Sequence, residues 1–251
     1  ELVKLRPDLK VAVFEAGKAL EERKCPIDGE KVKSCINCKS CAIMRGFGGA
    51  GAFSDGKYNI TNDFGGTLYE HIGKEKALEL MKYVDSINLA NGGEGTKLYS
   101  TAGSSFKKIC LENKLHLLDA SVRHLGTDKN DQVLGNIFNE LKDKVDFYFN
   151  APVGDLKVLE DGTYEAECLG ESYVCKKCIV SVGRSGSKLI EKVCSELDIE
   201  TFSNRVHIGV IVELPAVVFS DLTSELYESK IVYRTEKFED KDRTFCMNPY
   251  G

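Results

Sequence analysis

The stretch "KVAVFEAG" occupies residues 10–17, and its reading decides the fold. It follows "RPDL" (6–9), where proline disfavours helix for its neighbour and closes the helical run "ELVKL" (1–5). A helix end, a tight turn and a short apolar strand ending in an acid and a glycine is α/β grammar. In dinucleotide-binding βαβ units a glycine-rich turn cradles a pyrophosphate at a helix N-terminus. An acid about 20 positions later, at the end of the second strand, accepts hydrogen bonds from the ribose. Glu15, followed by Ala16 and Gly17, suits that second role; an acid that merely ends a surface strand fits these residues equally well. Counting back about 20 positions lands before residue 1. The sequence is therefore expected to be a fragment whose glycine-rich turn and first strand precede it.

The 251 residues carry 34 Lys and Arg against 39 Asp and Glu, a net charge of −5, and 42% are hydrophobic. That supports one large or two ordinary domains. The mild acidity argues against a general nucleic-acid binder, which needs a basic face. No apolar stretch approaches a membrane span. Charges interrupt the N-terminal stretch and no cleavage site follows, so it does not read as a secretory signal. Ten cysteines without an export signal, several inside apolar strand-like runs, point to a reducing cytoplasm and to free or metal-bound thiols.

Further along, residues 18–46 read as a polar, cysteine-containing loop. "GKEKALELMKYVDSINLANGG" (73–93) has helical periodicity and a glycine stop. "SSFKKICLENK" reads as a helix and "LHLLDASVRHLG" starts as a strand. "DKNDQVLGNIFNELKDK" (128–144) is an amphipathic helix with Asp131 as candidate cap, and "VDFYFN" (145–150) is a strand. "PVGDLKVLEDGTYEAECLG" predicts a hairpin turning at Asp161-Gly162. "SYVCKKCIVSVGRSGS" predicts a strand that runs into a glycine turn, and "KLIEKVCSELDI" a helix. "RVHIGVIVELP" (205–215) and "SKIVYRT" predict further strands.

Two glycine turns carry chemistry. "GFGGAGAFSDGK" (46–57) holds Gly46, Gly48, Gly49, Gly51 and Gly56, which remove Cβ atoms where a ligand can lie close to the backbone. Ser54 can donate to phosphate or ribitol oxygens, and Lys57 supplies positive charge. The interleaved Ala50, Ala52 and Phe53 suit a packed turn better than a loose loop. "IVSVGRSGS" (179–187), an apolar strand before a Gly-Arg turn, places backbone amides where a nucleotide can lie, although any β-turn-α connection reads the same way.

The order of these stretches resembles the glutathione-reductase-like, two-domain flavoproteins. It is most similar to an uncharacterised bacterial family of FAD-dependent dehydrogenases. That family also carries Cys-Pro (here Cys25-Pro26), a cysteine cluster, "GGAGAFSDGK" and "RHLGTD" (Arg123 to Asp128). The resemblance implies FAD with its ribose on Glu15 and the neighbouring Ala16 and Gly17. It implies pyrophosphate or ribityl contacts from Gly48, Gly49, Ala50, Gly51, Ser54, Asp55, Gly56 and Lys57. It places adenine against the backbone around Val153, and a further contact at Ser181, Gly183 and Arg184. The family's glycine-rich fingerprint and its C-terminal segment are not among these residues.

Cys35, Cys38 and Cys41 have C-x2-C-x2-C spacing, with Cys25 upstream. Thiolates at two-residue gaps can wrap one ion, so the four are candidate ligands for zinc or an iron–sulfur cluster. A redox dithiol or a packed cysteine loop reads equally well. Cys175 and Cys178 have the same gap at a strand start, where alternation is expected to turn them to opposite faces. In "RHLGTD", Arg123 can hold an anionic substrate group and His124 can move a proton. On residues alone, His124 as a structural hydrogen-bonder and Asp128 as a helix cap is the better reading; the resemblance turns it toward a site near the flavin.

The expected architecture is α/β with a Rossmann-like FAD-binding domain, discontinuous in sequence (1–60 and 130–200). A helical and mixed insertion (61–129) and a β-rich substrate domain (201–251) complete it. The expected function is a cytoplasmic FAD-dependent oxidoreductase acting on a small-molecule substrate. A nicotinamide cofactor or an electron-transfer partner is its candidate second reactant. The alternatives are a flavin–iron–sulfur reductase that uses the cysteine cluster, and a zinc-stabilised, non-catalytic binding module.

Overall fold

The computed structural model describes residues 1–203 and 206–248. In chain order the elements begin with α1 (Leu2–Leu5), β1 (Ala12–Phe14), β2 (Lys57–Ile60), α2 (Leu68–Ile72), α3 (Lys74–Asn88) and β3 (Leu98–Ser100). Then come α4 (Phe106–Glu112), β4 (His116–Leu117), β5 (Ser121–His124), α5 (Thr127–Leu141), β6 (Asp146–Tyr148) and β7 (Val153–Val158). The last are β8 (Tyr164–Cys168), β9 (Glu171–Cys175), α6 (Ser187–Glu196), α7 (Ser220–Leu226), β10 (Ile231–Arg234) and β11 (Lys241–Arg243). The protein is thus mixed α/β, with parallel and antiparallel sheets. Among the described residues, no helix is long and apolar enough to cross a membrane. The chain divides into two compact units, Glu1–Ala50 with Asn139–Val210 and Gly51–Phe138 with Ile211–Gly251.

In the first unit, β1 and β6 pair in parallel, with Phe14 opposite Tyr148. The two rings stack at 4.7 Å, and Tyr173 of β9 meets Phe14 edge-on. The backbone continues the pairing past the strand end, since Glu15 N–H donates to Tyr148 O and Ala151 N–H to Glu15 O. This two-stranded sheet is the parallel pairing among the described residues. The expected hairpin forms: β7, β8 and β9 make an antiparallel meander whose first turn holds Gly162 at φ +78°. That left-handed conformation costs glycine little. Leu156, Ala166 and Val193 are buried together, so α6 lays one face on this meander.

The second unit has two antiparallel sheets, ordered β2-β5-β3 and β11-β10-β4. Its core joins Cys110, Leu117, Leu222 and Leu226, drawn from α4, β4 and α7. Helix α3 follows the expected periodicity and ends in a loose turn over Leu89–Gly93, where Gly92 takes φ +114°.

Three local expectations are corrected. Asp131 does not cap α5, because the helix starts at Thr127; Asp128 stands in its first turn, where a carboxylate complements the helix dipole. The strand that begins the "SYVCKKCIVSVG" run stops at Cys175, and 176–183 form no strand. Of the strand expected over 205–215, residue 205 lies outside the described residues, and 206–215 join none of the sheets formed by the described residues. Val206, Ile208 and Val210 are each more than four-fifths exposed. Alternating β-branched residues favour extended backbone, but a strand also needs a neighbouring edge to bond to.

Candidate functional site

The residues singled out in the sequence fall into two groups, one in each unit. In the first, Glu15 stands at the carboxyl end of β1 and its Oε1 accepts from the N–H of Gly17 at 2.8 Å and of Gly46 at 3.1 Å. The two glycines touch backbone to backbone: a Cβ on Gly17 would lie 2.4 Å from Gly46 N. No side chain fits at Gly17, and at Gly46 (φ +121°) a Cβ would lie 2.6 Å from Lys18 O and from the Arg23 side chain. Beyond this contact, Gly48, Gly49 and Ala50 are exposed, and a Cβ on Gly49 would meet nothing within 4 Å. Gly48 and Gly49 take φ +80° and +61°.

Arg23 organises this loop, and sequence reasoning missed it. It is 3% exposed and donates to four carbonyls, those of Ala42, Ile43, Phe47 and Gly49. Burial pulls its pKa below the ordinary arginine value, and the Glu15 carboxylate opposes that shift. Val153 opens β7 and packs on the meander core. Ser181, Gly183 and Arg184 are exposed, and no hydrogen bond among the described residues joins them to Glu15–Gly17.

The second group starts with Gly51–Lys57. Ala52 is fully buried, and the Asn130 side chain donates to the carbonyls of Gly51 and Ala52 at 2.9 and 3.1 Å. Asn130 Oδ1 accepts from the Tyr58 hydroxyl at 3.1 Å. Gly56 (φ +65°) is pressed against Asn130 and Leu125, so this half of the turn is clamped to α5. Ser54 is spent locally: its hydroxyl donates to Gly51 O and accepts from Gly56 N–H. The Lys57 ammonium pairs with Glu228 at 2.8 Å and approaches Asp55 at 3.4 Å. Its charge is therefore balanced within the unit. Burial would lower its pKa, but Glu228 and Asp55 hold it above the ordinary lysine value.

Arg123 and His124 are adjacent on β5 and part company there. Arg123 forms a two-pronged pair with Asp85 of α3, Nε–Oδ1 2.5 Å and Nη2–Oδ2 2.8 Å, and donates to Thr96 O. It is 7% exposed, and its guanidinium is committed to Asp85 and Thr96. His124 faces Asp55 and Tyr227. Its ring stacks on the Tyr227 ring with centroids 3.9 Å apart, and its Nε2 stands 3.7 Å from Asp55 Oδ2. Nε2 is buried without a hydrogen-bond partner. Burial lowers the pKa of His124; Asp55 opposes the shift and Lys57 adds to it.

Tyr227, Glu228 and Lys230 complete this cluster and were not legible in the sequence. Glu228 and Lys230 are 3% and 4% exposed, and Glu228 accepts from Lys230 at 2.6 Å as well as from Lys57. A run such as "YESK" looks like a surface; only its position before a buried strand hints otherwise.

The cysteine loop shows no ligand set. Cys25, Cys35 and Cys38 are exposed and Cys41 is half-buried. Among the described residues no three Cys, His, Asp or Glu side chains gather where a metal ion could be held. Cys175 and Cys178 depart from the expected opposition. Because β9 stops at Cys175, the chain turns and the two thiols interact; burial, then Cys175, raises the pKa of Cys178.

Compared with known proteins, the chain matches no family model and no curated protein.

Proposed function

We propose that this protein is an FAD-dependent oxidoreductase of the two-domain flavoprotein class that its motifs resemble. It acts on a small-molecule substrate, with a nicotinamide cofactor or an electron-transfer partner as second reactant. The observation that carries the reading is Glu15: an acid at the carboxyl end of a parallel strand, with one oxygen tied by the amides of Gly17 and Gly46. Ligands of α/β proteins gather at that end of parallel strands. Glu15 Oε2 makes no hydrogen bond among the described residues and is the acceptor for ribose hydroxyls.

The exposed backbone of Gly48–Ala50, with open space at Gly49, fits the close approach of a pyrophosphate or ribityl chain. The Val153 backbone would flank adenine, and Ser181, Gly183 and Arg184 would add a further contact. Bound FAD supplies the redox chemistry, taking or giving a hydride. In the second unit, His124 is the candidate for proton exchange with substrate, since a neutral imidazole can act as a base. Ser54, Lys57 and Arg123 are committed to partners within the second unit.

The absorption spectrum of the protein, purified at the full length of its gene, tests this. Flavin bands with bound FAD are expected. Glu15→Gln keeps an acceptor for the two amides but loses the charge, and is expected to weaken FAD binding about tenfold or more. A colourless protein that takes up no added FAD overturns the proposal.

A further inference from the structure

The face of β5 that carries His124 holds more than a histidine. Asp55 lies two residues before Lys57, which is paired with His124 across β2 and β5. That register brings the Asp55 carboxylate to the Nε2 edge of the imidazole. Nε2 is buried and unpartnered, whereas Nδ1 is not among the buried unpartnered atoms and the side chain as a whole is 22% exposed, so Nδ1 is the ring nitrogen offered to a ligand. An orphaned buried nitrogen calls for a physical explanation. At 3.7 Å its approach to Asp55 is longer than a hydrogen bond. Such contacts in ligand-free sites are often long and tighten when substrate arrives.

The wall behind the ring is strained. Tyr227 has φ +58° and ψ −62°, and Leu226 O accepts from Glu228 N–H at 2.6 Å, a three-residue turn with the wrong-handed centre. A non-glycine residue there is strained and persists only where its surroundings over-determine it. Here they do: the ring is stacked on His124 and tilted against Tyr99, and Glu228 is locked by Lys57 and Lys230. The strain holds an aromatic face flat on the imidazole.

We propose that Asp55, His124 and Tyr227 form a proton-transfer centre in which Nδ1 of His124 is the atom that exchanges a proton with a substrate hydroxyl or protonated amine. The proposal deepens the oxidoreductase reading, from which it takes His124. Asp55 is a positioning residue here rather than a cofactor contact: it fixes the tautomer with the proton on Nε2 and pairs with the imidazolium that forms. Tyr227 is a positioning residue that prevents ring rotation. In the step itself, the donor's O–H or N–H bond breaks, its electron pair stays on the heteroatom, and the proton bonds to the Nδ1 lone pair. The charged and titratable groups facing the ring are Asp55 and Lys57 from the turn and β2, and Tyr227 after α7. Lys57 is kept from claiming Asp55 alone because Glu228 binds it more closely, at 2.8 Å against 3.4 Å.

Nitrogen-15 NMR of the histidine rings in the whole protein, with His124→Gln to assign the signal, tests this without any flavin. The Nε2–H tautomer is expected to dominate at neutral pH, with a titration midpoint below that of a free histidine. Asp55→Asn is expected to lower the midpoint further, by about one unit, and to mix the tautomers. Tyr227→Phe should preserve the tautomer, whereas Tyr227→Ala should mix it; a purely structural tyrosine would leave it unchanged in both. A dominant Nδ1–H tautomer in the unaltered protein overturns the proposal even if every variant misfolds. An unmoved midpoint in folded Asp55→Asn overturns it as well. Because the readout needs no cofactor, failure to bind FAD would sink the oxidoreductase reading and leave this result standing.

Discussion

Arg123 and His124 are chain neighbours with opposite fates. The pleat of β5 turns successive side chains to opposite faces. Arg123 goes to the face that packs on α3 and finds a carboxylate placed for both prongs of its guanidinium. His124 goes to the face shared with Asp55 and Tyr227 and is left with one nitrogen unpartnered. On the first face the guanidinium and its carboxylate satisfy each other; on the second the imidazole keeps an unpartnered nitrogen. A guanidinium matched by its carboxylate marks a structural pair, whereas a buried polar atom left unpartnered calls for another explanation.

Substitutions can break this contrast. The largest effect is expected on the satisfied face. Asp85→Ala leaves a buried guanidinium without its counter-ion and should cost about 3–5 kcal/mol in urea unfolding. Replacing both partners by apolar residues (Asp85→Leu with Arg123→Met) should recover most of that loss. If Asp85→Ala is nearly neutral, Arg123 is not a structural pair, and it returns as a candidate for substrate binding.

Glu228→Gln strikes behind the other face. It should cost about 1–3 kcal/mol near neutrality, because two buried ammonium groups lose their carboxylate. Burial alone would raise the pKa of Glu228, but Lys230 and Lys57 hold it below the ordinary value of 4.5. The stability it contributes is therefore present above that value and lost as pH falls below it. Unfolding midpoints measured down the acid range should fall less steeply in the variant.

The smallest effect belongs to His124→Gln, whose change in stability should stay within about 1 kcal/mol. The folded pKa of His124 lies below its ordinary value of 6.5. The unfolded chain thus takes up a proton first, and stability falls as pH drops through that region. The variant should flatten this dependence. A loss as large as that of Asp85→Ala would mean that the two faces do not differ in kind.

Much of the local structure was legible. The strand at 12–14, the hairpin at Asp161-Gly162 and helices α3 and α5 follow from periodicity and turn residues within a few positions of one another. Partners distant in sequence were not. Arg23 reaches carbonyls 19 to 26 residues away, and Lys57 reaches Glu228 across 171. Nothing in "EERKC" announces a buried arginine. The run at 206–215 failed in the other direction, with strand composition but no place in a sheet among the described residues.

By itself the sequence determined where backbone could be extended, helical or turned, and where glycine was required. Steric limits on φ and ψ and the 2.0 and 3.6 periodicities act on neighbours. It also singled out Glu15, the Gly48–Lys57 turn and His124. Only the tertiary structure decided what each of these touches. It tied one Glu15 oxygen to Gly17 and Gly46, cancelled Lys57 with Glu228, spent Arg123 on Asp85 and set His124 between Asp55 and a strained Tyr227. The physical reason is that charge and hydrogen bonding depend on distance in space, and a chain's own order does not encode that distance.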